Sequence, residues 1–359
     1  MYAVTGGGKD RMKRLGDVLA GLRPQIPESL LAGEGWDRLV ARVGVLPASA
    51  ASACGFELRL GAPEPSADFS LAVGPEPVAK YYIARGERAD PASPEAWLKG
   101  YLTGETGTGS WIEGLLLGYD LVDDSGECPA DLPPAINLRL APTHRLRQDG
   151  VTPELLGTAL AHAVGHGDGR RERKAVGRGF DALPSGASIV FAAVAPDRPK
   201  TVKLVISKIP AADAGAFAAR LGWTGSVPAI SELLYGMRDV SSGFMVSIDL
   251  TAEGALPGLG LEIYPEYTSD SRDDGTLLTT WLRTTARDWR DLTDRLVSMK
   301  LCLPIKARGL LSWPKRTRVF GGTGVYGLYM GINHVKIIVD GEDLSAKAYA
   351  GLQLLPIAR

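Results

Sequence analysis

Short segments of strict apolar/polar alternation recur along the chain, separated by longer stretches with apolar residues at helical spacing. In "AINLRL", Ile136, Leu138 and Leu140 alternate with Asn137 and Arg139. "VKLVIS", "LEIYPE" and "AKAYAG" repeat the pattern, with Lys203, with Glu262 and Tyr264, and with Lys347 and Tyr349 on their polar sides. Alternation of this kind predicts half-buried strands. The predicted pairs are 56–60 with 69–73, 112–121 with 135–140, 188–195 with 201–207, 244–250 with 259–264, and 332–339 with 346–355, and "VAKYYIA" (78–84) reads as a further strand. Connections such as "APDRPK" and "DGEDLS" read as hairpin turns, which makes the partners antiparallel.

Amphipathic helical patterns precede each pair. They include "KDRMKRLGDVLAGL" and "ESLLAGEGWDRLVARVG", "SPEAWLKGYL" with a start at Ser93-Pro94-Glu95, "TPELLGTALAHAV", "AADAGAFAARLGW" with "VPAISELLYGM", and "TLLTTWLRTTARDWRDLTDRLVSM" with "PIKARGLLSW". No internal sequence repeat is visible, yet the order helix, helix, strand, strand returns for each of the five pairs. Helices need an apolar surface to pack on, and one face of each strand supplies it. The polar faces then lie on the side away from the helices. Ten antiparallel strands with that polarity close into a barrel with helices outside, which removes the exposed edges. Ten strands also leave room for a solvent-filled lumen. The expected fold is therefore α+β, a ten-stranded antiparallel barrel built from five ααββ units, as one domain over 1–359.

Composition narrows the function classes. The 359 residues carry 40 basic and 41 acidic side chains, so there is no cationic surplus of the kind that nucleic acid requires. Three scattered cysteines, Cys54, Cys128 and Cys302, offer neither a disulfide framework nor paired metal spacing. That usage points to a reducing cytoplasm. The N-terminal "MYAVTGGGKDRMKRLG" has no signal-peptide stretch, and the longest apolar run, near "SIVFAAVA", is too short to span a membrane. A composition rich in Gly, Ala and Arg fits a high-GC bacterial genome.

Inward-facing Lys and Arg from several strands would need a counter-charge: carboxylates such as Glu57, Asp249 and Glu262, or an anionic ligand such as a diphosphate. Tyrosines beside them offer ring faces that stabilise a cation. The recurring helices and strand pairs, with Lys-x-Tyr at Lys80/Tyr82 and Lys347/Tyr349, resemble the ABBA-type aromatic prenyltransferases, the prenyltransferase-barrel enzymes. The pattern is partial elsewhere, since Asn137/Arg139 and Lys203/Val205 keep the cation without the tyrosine and Glu262/Tyr264 keeps the tyrosine without the cation. No DDxxD motif is present.

The resemblance implies transfer of a prenyl group from an allylic diphosphate to an electron-rich aromatic or peptide acceptor, in natural-product biosynthesis. It implies that Lys80, Arg139, Lys203, Lys336 and Lys347 hold the diphosphate. Tyr82, Tyr264 and Tyr349 would shield the allylic cation, and Glu57 first, Glu262 second, would take the acceptor's proton. The partners are then a prenyl diphosphate and its acceptor, with no nucleic acid or membrane, and the protein is expected to be a monomer. No cofactor is required, with Mg²⁺ as an optional aid to the diphosphate. A different class remains open: a non-catalytic barrel that binds an anionic or lipidic ligand or a peptide, or a peptide-tailoring enzyme of other chemistry.

Other constellations have ordinary readings. "HAVGH" sets His162 and His166 four apart near Asp168 but lacks the Glu of a zinc-peptidase helix, so no metal site is assigned. "HGDGRRERKAVGRG" and "WPKRTR" read as solvated charge runs, and "SRDDG" (271–275) as a solvated acidic loop. "GGGKDR" (6–11) lacks Walker spacing and reads as a flexible N-terminus. "GGTGVYGLYMG" (321–331) reads as a Gly-rich connection or a lid over the barrel mouth, and Trp281 and Trp289 as helix packing.

Overall fold

Our computed structural model describes residues 14–48, 51, 53–73, 78–87, 89, 93–106, 111–121, 134–141, 151–196, 200–265, 286–321 and 324–357. Helices come in pairs ahead of strands: α1 (Leu15–Leu22) and α2 (Gly33–Val43) before β1 (Ala53–Arg59) and β2 (Ala67–Val73). Next come α3 (Val78–Gly86) and α4 (Pro94–Thr103) before β3 (Ile112–Tyr119) and β4 (Ala135–Leu140). The third group is α5 (Pro153–Ala163) and α6 (Arg170–Ala182) before β5 (Ser188–Val194) and β6 (Val202–Ser207). The fourth is α7 (Ala214–Arg220) and α8 (Val227–Met237) before β7 (Gly243–Leu250) and β8 (Ala255–Tyr264). Last come α9 (Ala286–Ser298) and α10 (Pro304–Leu311), an added strand β9 (Lys315–Gly321), and the long β10 (Gly324–Asp340) and β11 (Asp343–Pro356).

Strands β1 to β8 pair in sequence, β8 pairs with β10, β10 with β11, and β11 returns to β1, all antiparallel. The result is a closed ten-stranded barrel, with β9 outside it on the stretch of β10 that β8 does not reach. Outward faces carry the core. Phe56, Leu58, Leu204, Ile206, Ile248, Leu261, Ala348 and Ala350 are buried between barrel wall and helices. The alanines of β11 let Trp313 sit close, and its indole donates to the Gly351 carbonyl at 3.1 Å. Helix starts follow their caps: Ser93, Thr152 and Ser226 each accept a backbone N–H three residues on, and Pro stands in the first turn of the helix that follows each.

Two expectations are corrected. "VAKYYIA" is helix α3, not a strand, so Lys80 is exposed and Tyr82 is packed into the apolar core outside the barrel. Seven residues with alternating apolar groups also present an apolar helical stripe, and the short length does not separate the two. The basic run at 166–179 is a solvated face as expected, with Arg170, Arg171 and Lys174 exposed on α6 while Ala175, Val176, Gly179 and Phe180 face inward. Residues 324–331 of "GGTGVYGLYMG" form the first half of β10, with Leu328 and Met330 buried, instead of a connection or lid. Trp289 is buried in α9 as expected; Trp281, "GGGKDR", "SRDDG" and Cys128 lie outside the described residues.

Helices α5 and α6 meet where Gly157 lies against the backbone of Arg173; a Cβ there would fall 2.5 Å from the Arg173 Cα. Backbone cannot move aside as a side-chain tip can. Gly157→Ala is therefore expected to destabilise by about 1–3 kcal/mol. Gly177→Ala, where the nearest atom is 3.9 Å away, is expected to leave stability unchanged or raise it by up to about 1 kcal/mol. Urea denaturation of the two variants checks the contrast.

Candidate functional site

Position in the register decides which side chains enter the barrel. Residues directly opposite each other on paired strands share a face. One inward row runs across β2, β1, β11 and β10 as Asp68, Glu57, Tyr349 and His334. The next row runs across β1, β11, β10 and β8 as Arg59, Lys347, Lys336 and Glu262. Carboxylates and cations therefore meet diagonally. Lys347 Nζ donates to Glu57 at 2.5 Å, and Arg59 approaches Asp68 at 3.6 Å. Lys336 donates to the Ser247 hydroxyl at 2.8 Å and lies 4.0 Å from Glu262. Across the lumen, Arg139 pairs with Glu113 at 2.6 Å, and Lys203 with its cross-strand neighbour Asp249 at 3.6 Å.

Next to these rows the lumen opens into a cavity of about 390 Å³, within the range of small-molecule sites. Small inward residues, among them Ala53, Gly55, Ala72, Gly118, Ala135 and Ala193, leave the space. Its wall includes Glu57, Asp68, Arg139, Lys203, Asp249, Glu262, Tyr264, His334 and Tyr349. Three rings form a run along one side: Tyr264 and His334 with centroids 5.4 Å apart, then His334 stacked on Tyr349 at 4.3 Å. The Tyr349 hydroxyl donates to Glu57, and the Tyr264 hydroxyl to Glu262 at 3.4 Å. A carboxylate thus flanks the run at each end.

Burial and charge set the protonation states. Burial alone would raise the Glu57 carboxyl, but Lys347 and Lys336 beside it hold it well below the usual carboxylate range. Asp68 goes the other way: burial, then the neighbouring Glu57 charge, push its carboxyl up to about 6. Lys336 is brought down to about 8 by burial and by Lys203. His334 is lowered by burial against the opposing pull of Glu262, which keeps the imidazole neutral. Its Nε2 has no hydrogen-bond partner and stands 3.7 Å from Glu262.

The structure brings together Glu57, Glu262, Arg139, Lys203, Lys336, Lys347, Tyr264 and Tyr349 on the inner face. Lys80 and Tyr82 stand apart from them on α3. Asp68 and Glu113 were not anticipated. Asp68 is the first polar residue of β2 and continues the inward alternation through Ser70, a signal that a strand start two residues earlier would have exposed. Glu113 enters at a bulge in β3, which alternation does not reveal. His166 pairs with Glu172 at 2.8 Å, and among the described residues no cluster of His, Cys, Asp or Glu is placed to hold a metal ion. No helix among them is long and apolar enough to cross a membrane.

With this geometry in hand, similarity to solved structures is specific. Neither a family model nor a curated protein matches the sequence. The prenyltransferase PriB in its apo form aligns over 95% of this chain and 96% of its own, with a TM-score of 0.51 and 16% identity. The 6-dimethylallyltryptophan synthase of Micromonospora olivasterospora, in complex with DMASPP and Trp, aligns over 94% and 96% with a TM-score of 0.50 and 16% identity. The 5-dimethylallyltryptophan synthase of Streptomyces coelicolor aligns over 95% and 98% with a TM-score of 0.50 and 15% identity. This chain has the prenyltransferase-barrel fold. At such identity the likeness is one of fold.

Because the folded Asp68 carboxyl titrates near 6 and its ordinary value is 3.8, the folded state binds more protons than the unfolded state between those values. Asp68 therefore contributes stability that falls as pH rises through about 4 to 6. Asp68→Asn is expected to remove that slope, read from chemical-denaturation midpoints across the window; an unchanged slope would assign the proton uptake to another group.

Proposed function

We propose that the protein transfers a prenyl group from an allylic diphosphate to an electron-rich acceptor inside the barrel. The observation that carries this is the convergence of Arg139, Lys203, Lys336 and Lys347 with Tyr264 and Tyr349 on one lumen, in a barrel of the prenyltransferase fold. Arg139 and Lys203 reach the cavity wall directly and would take the diphosphate oxygens, with Lys336 and Lys347 adding charge from the row beneath. Preorganised cations lower the barrier to ionisation by stabilising the leaving group. The ring faces of Tyr264 and Tyr349 would meet the allylic cation. The barrel wall around the cavity would limit the water that reaches it.

A proton must leave the acceptor once the new bond forms. Glu57, held ionised by Lys347, and Asp68, with its carboxyl near 6, form a cross-strand pair at the cavity wall. Two adjacent carboxyls driven apart in acidity suit proton acceptance. Glu262 is the second candidate. The acceptor is an aromatic small molecule or a peptide side chain, handled by one chain acting alone in the cytoplasm.

One observation favours a different class. Each of Arg59, Arg139, Lys203, Lys336 and Lys347 already lies within 4.0 Å of a carboxylate. A lumen so neutralised also suits a non-catalytic barrel holding a ligand or peptide. Incubation with dimethylallyl or geranyl diphosphate and aromatic acceptors, followed by mass spectrometry, separates the two. Transfer predicts a prenylated product, and Lys203→Met is expected to raise KM for the diphosphate by about 10- to 100-fold, the loss of one charge-assisted hydrogen bond. Binding of the diphosphate without any product would support the non-catalytic reading.

A further inference from the structure

Beyond the end of the barrel, β9, β10 and β11 continue as a three-stranded ledge. β9 takes the stretch of β10 that β8 leaves free, and among the described residues no strand pairs with its own far edge. Register fixes the two faces of the ledge. Arg316 stands opposite Tyr329, which stands opposite Gln353, while Arg318 stands opposite Gly327 and Phe320 opposite Val325. On β11, Gln353 shares a face with Gly351 and Tyr349, which line the cavity. The face that carries Arg316, Arg318 and Phe320 is therefore a continuation of the lumen wall. The other face is anchored to the helical layer: Lys315 donates to the Gln25 carbonyl at 3.0 Å, and Val319 packs on the core.

Both arginines are exposed, and Phe320 is 83% exposed, the most of any large apolar side chain among the described residues. Charge alone commonly blunts an edge strand; an exposed phenylalanine on the same face works against that purpose. The open edge offers unpaired N–H and C=O groups, which another peptide backbone satisfies and a nucleic acid does not. Two arginines at alternate positions call for carboxylates at the same spacing. We propose that β9 docks an acidic, extended segment of a peptide acceptor. The segment adds antiparallel as a further strand, with carboxylates against Arg316 and Arg318 and an apolar side chain against Phe320. β9 runs outward from the barrel, from Lys315 opposite Met330 to Gly321 opposite Gly324. An antiparallel guest therefore runs inward, and its C-terminal continuation meets the cavity. Gln353 stands four residues along β11 from Tyr349, about 13 Å of strand, so the acceptor residue follows the last carboxylate by about five positions. In naming a peptide acceptor this deepens the transfer reading and rests on it; the docking step itself does not need transfer.

Fluorescence anisotropy on the full chain with a labelled synthetic peptide, Leu-Thr-Glu-Thr-Glu-Gly-Ser-Gly-Ser-Trp, tests it. The same peptide with Lys in place of Glu is expected to bind about tenfold or more weaker. Arg318→Glu, at an exposed position, is expected to weaken the Glu peptide by about fivefold and to strengthen the Lys peptide, and Phe320→Ser to weaken the Glu peptide by about threefold. Alternate backbone nitrogens of an added strand face β9 and the rest face solvent. N-methylation of alternate positions is therefore expected to abolish binding in one phase and spare it in the other. Equal binding of the Glu and Lys peptides, equal effects of the two N-methylated forms, or tighter binding of a deoxythymidine decamer overturns the proposal. Product analysis with dimethylallyl diphosphate keeps the two readings apart. Docking predicts a KM for the Glu peptide about tenfold below that of Gly-Ser-Gly-Ser-Trp alone. Equal KM for the two sinks docking and leaves transfer standing. Glu-peptide binding that Arg318→Glu weakens, with no product from peptides ending in Trp or Tyr, sinks transfer and leaves a peptide-docking ledge.

Discussion

Closure of β11 onto β1 brings Glu57, Arg59, Lys347 and Tyr349 together on the inner wall. A strand has two faces, and here the helices claim the outer one for Phe56, Leu58, Ala348 and Ala350. Polar residues on the same strands have nowhere to go but inward. Because β1 pairs with β2 on one edge and β11 on the other, Glu57 receives Asp68 and Tyr349 as direct neighbours and Lys347 on the diagonal. A slip of one residue in that register would turn the whole row into the helical layer. The ion pairs therefore depend on the closure, and they also help specify it, since only one register sets the Glu57 carboxylate against the Lys347 ammonium.

Charge and space are then divided between two parts of the lumen. Long side chains meet near the closure, where Arg59, Lys347, Lys336 and Glu262 fill the interior. Small residues such as Gly55, Ala72, Gly118 and Ala193 border the cavity. The division puts a dense ionic layer directly beside a void, so a molecule in the void feels a field set by groups that are held in place by one another. Glu57 and Asp68 show the effect. They are the same kind of group on adjacent strands, yet Lys347 keeps one ionised while burial and the other's charge raise its neighbour to about 6. Local pairing sets their acidity more than residue type does.

Much of the architecture was legible because alternation is a strong signal for strands that wall a barrel. β4 spans the stretch that "AINLRL" predicts, and the inward set Arg139, Lys203, Glu262, Tyr264, Lys336, Lys347 and Tyr349 follows from period two alone. The reading failed where that period was ambiguous or interrupted. Lys80 and Tyr82 sit in a segment too short to tell strand from helix, and the helix won because the apolar groups of α3 pack outside the barrel. Glu113 was hidden by a bulge, and Asp68 by a strand that begins before its apolar residues do. Ion pairing itself was beyond sequence: Glu57 and Lys347 are separated by 290 positions, and only the closing register joins them.

Each of Arg59, Arg139, Lys203, Lys336 and Lys347 lies within 4.0 Å of a carboxylate. That pairing bears on what the cations can bind. A free lysine cluster binds any anion, whereas a paired one binds an anion only when exchange of partners is favourable, which is a form of selectivity. Lys336 marks the balance point. Burial has brought its ammonium down to about 8, against the pull of Glu262, Glu57 and Asp249. An anion nearby would stabilise its charge, and a second cation nearby would weaken it. The charge on Lys336 is therefore set by the groups packed around it more than by its residue type.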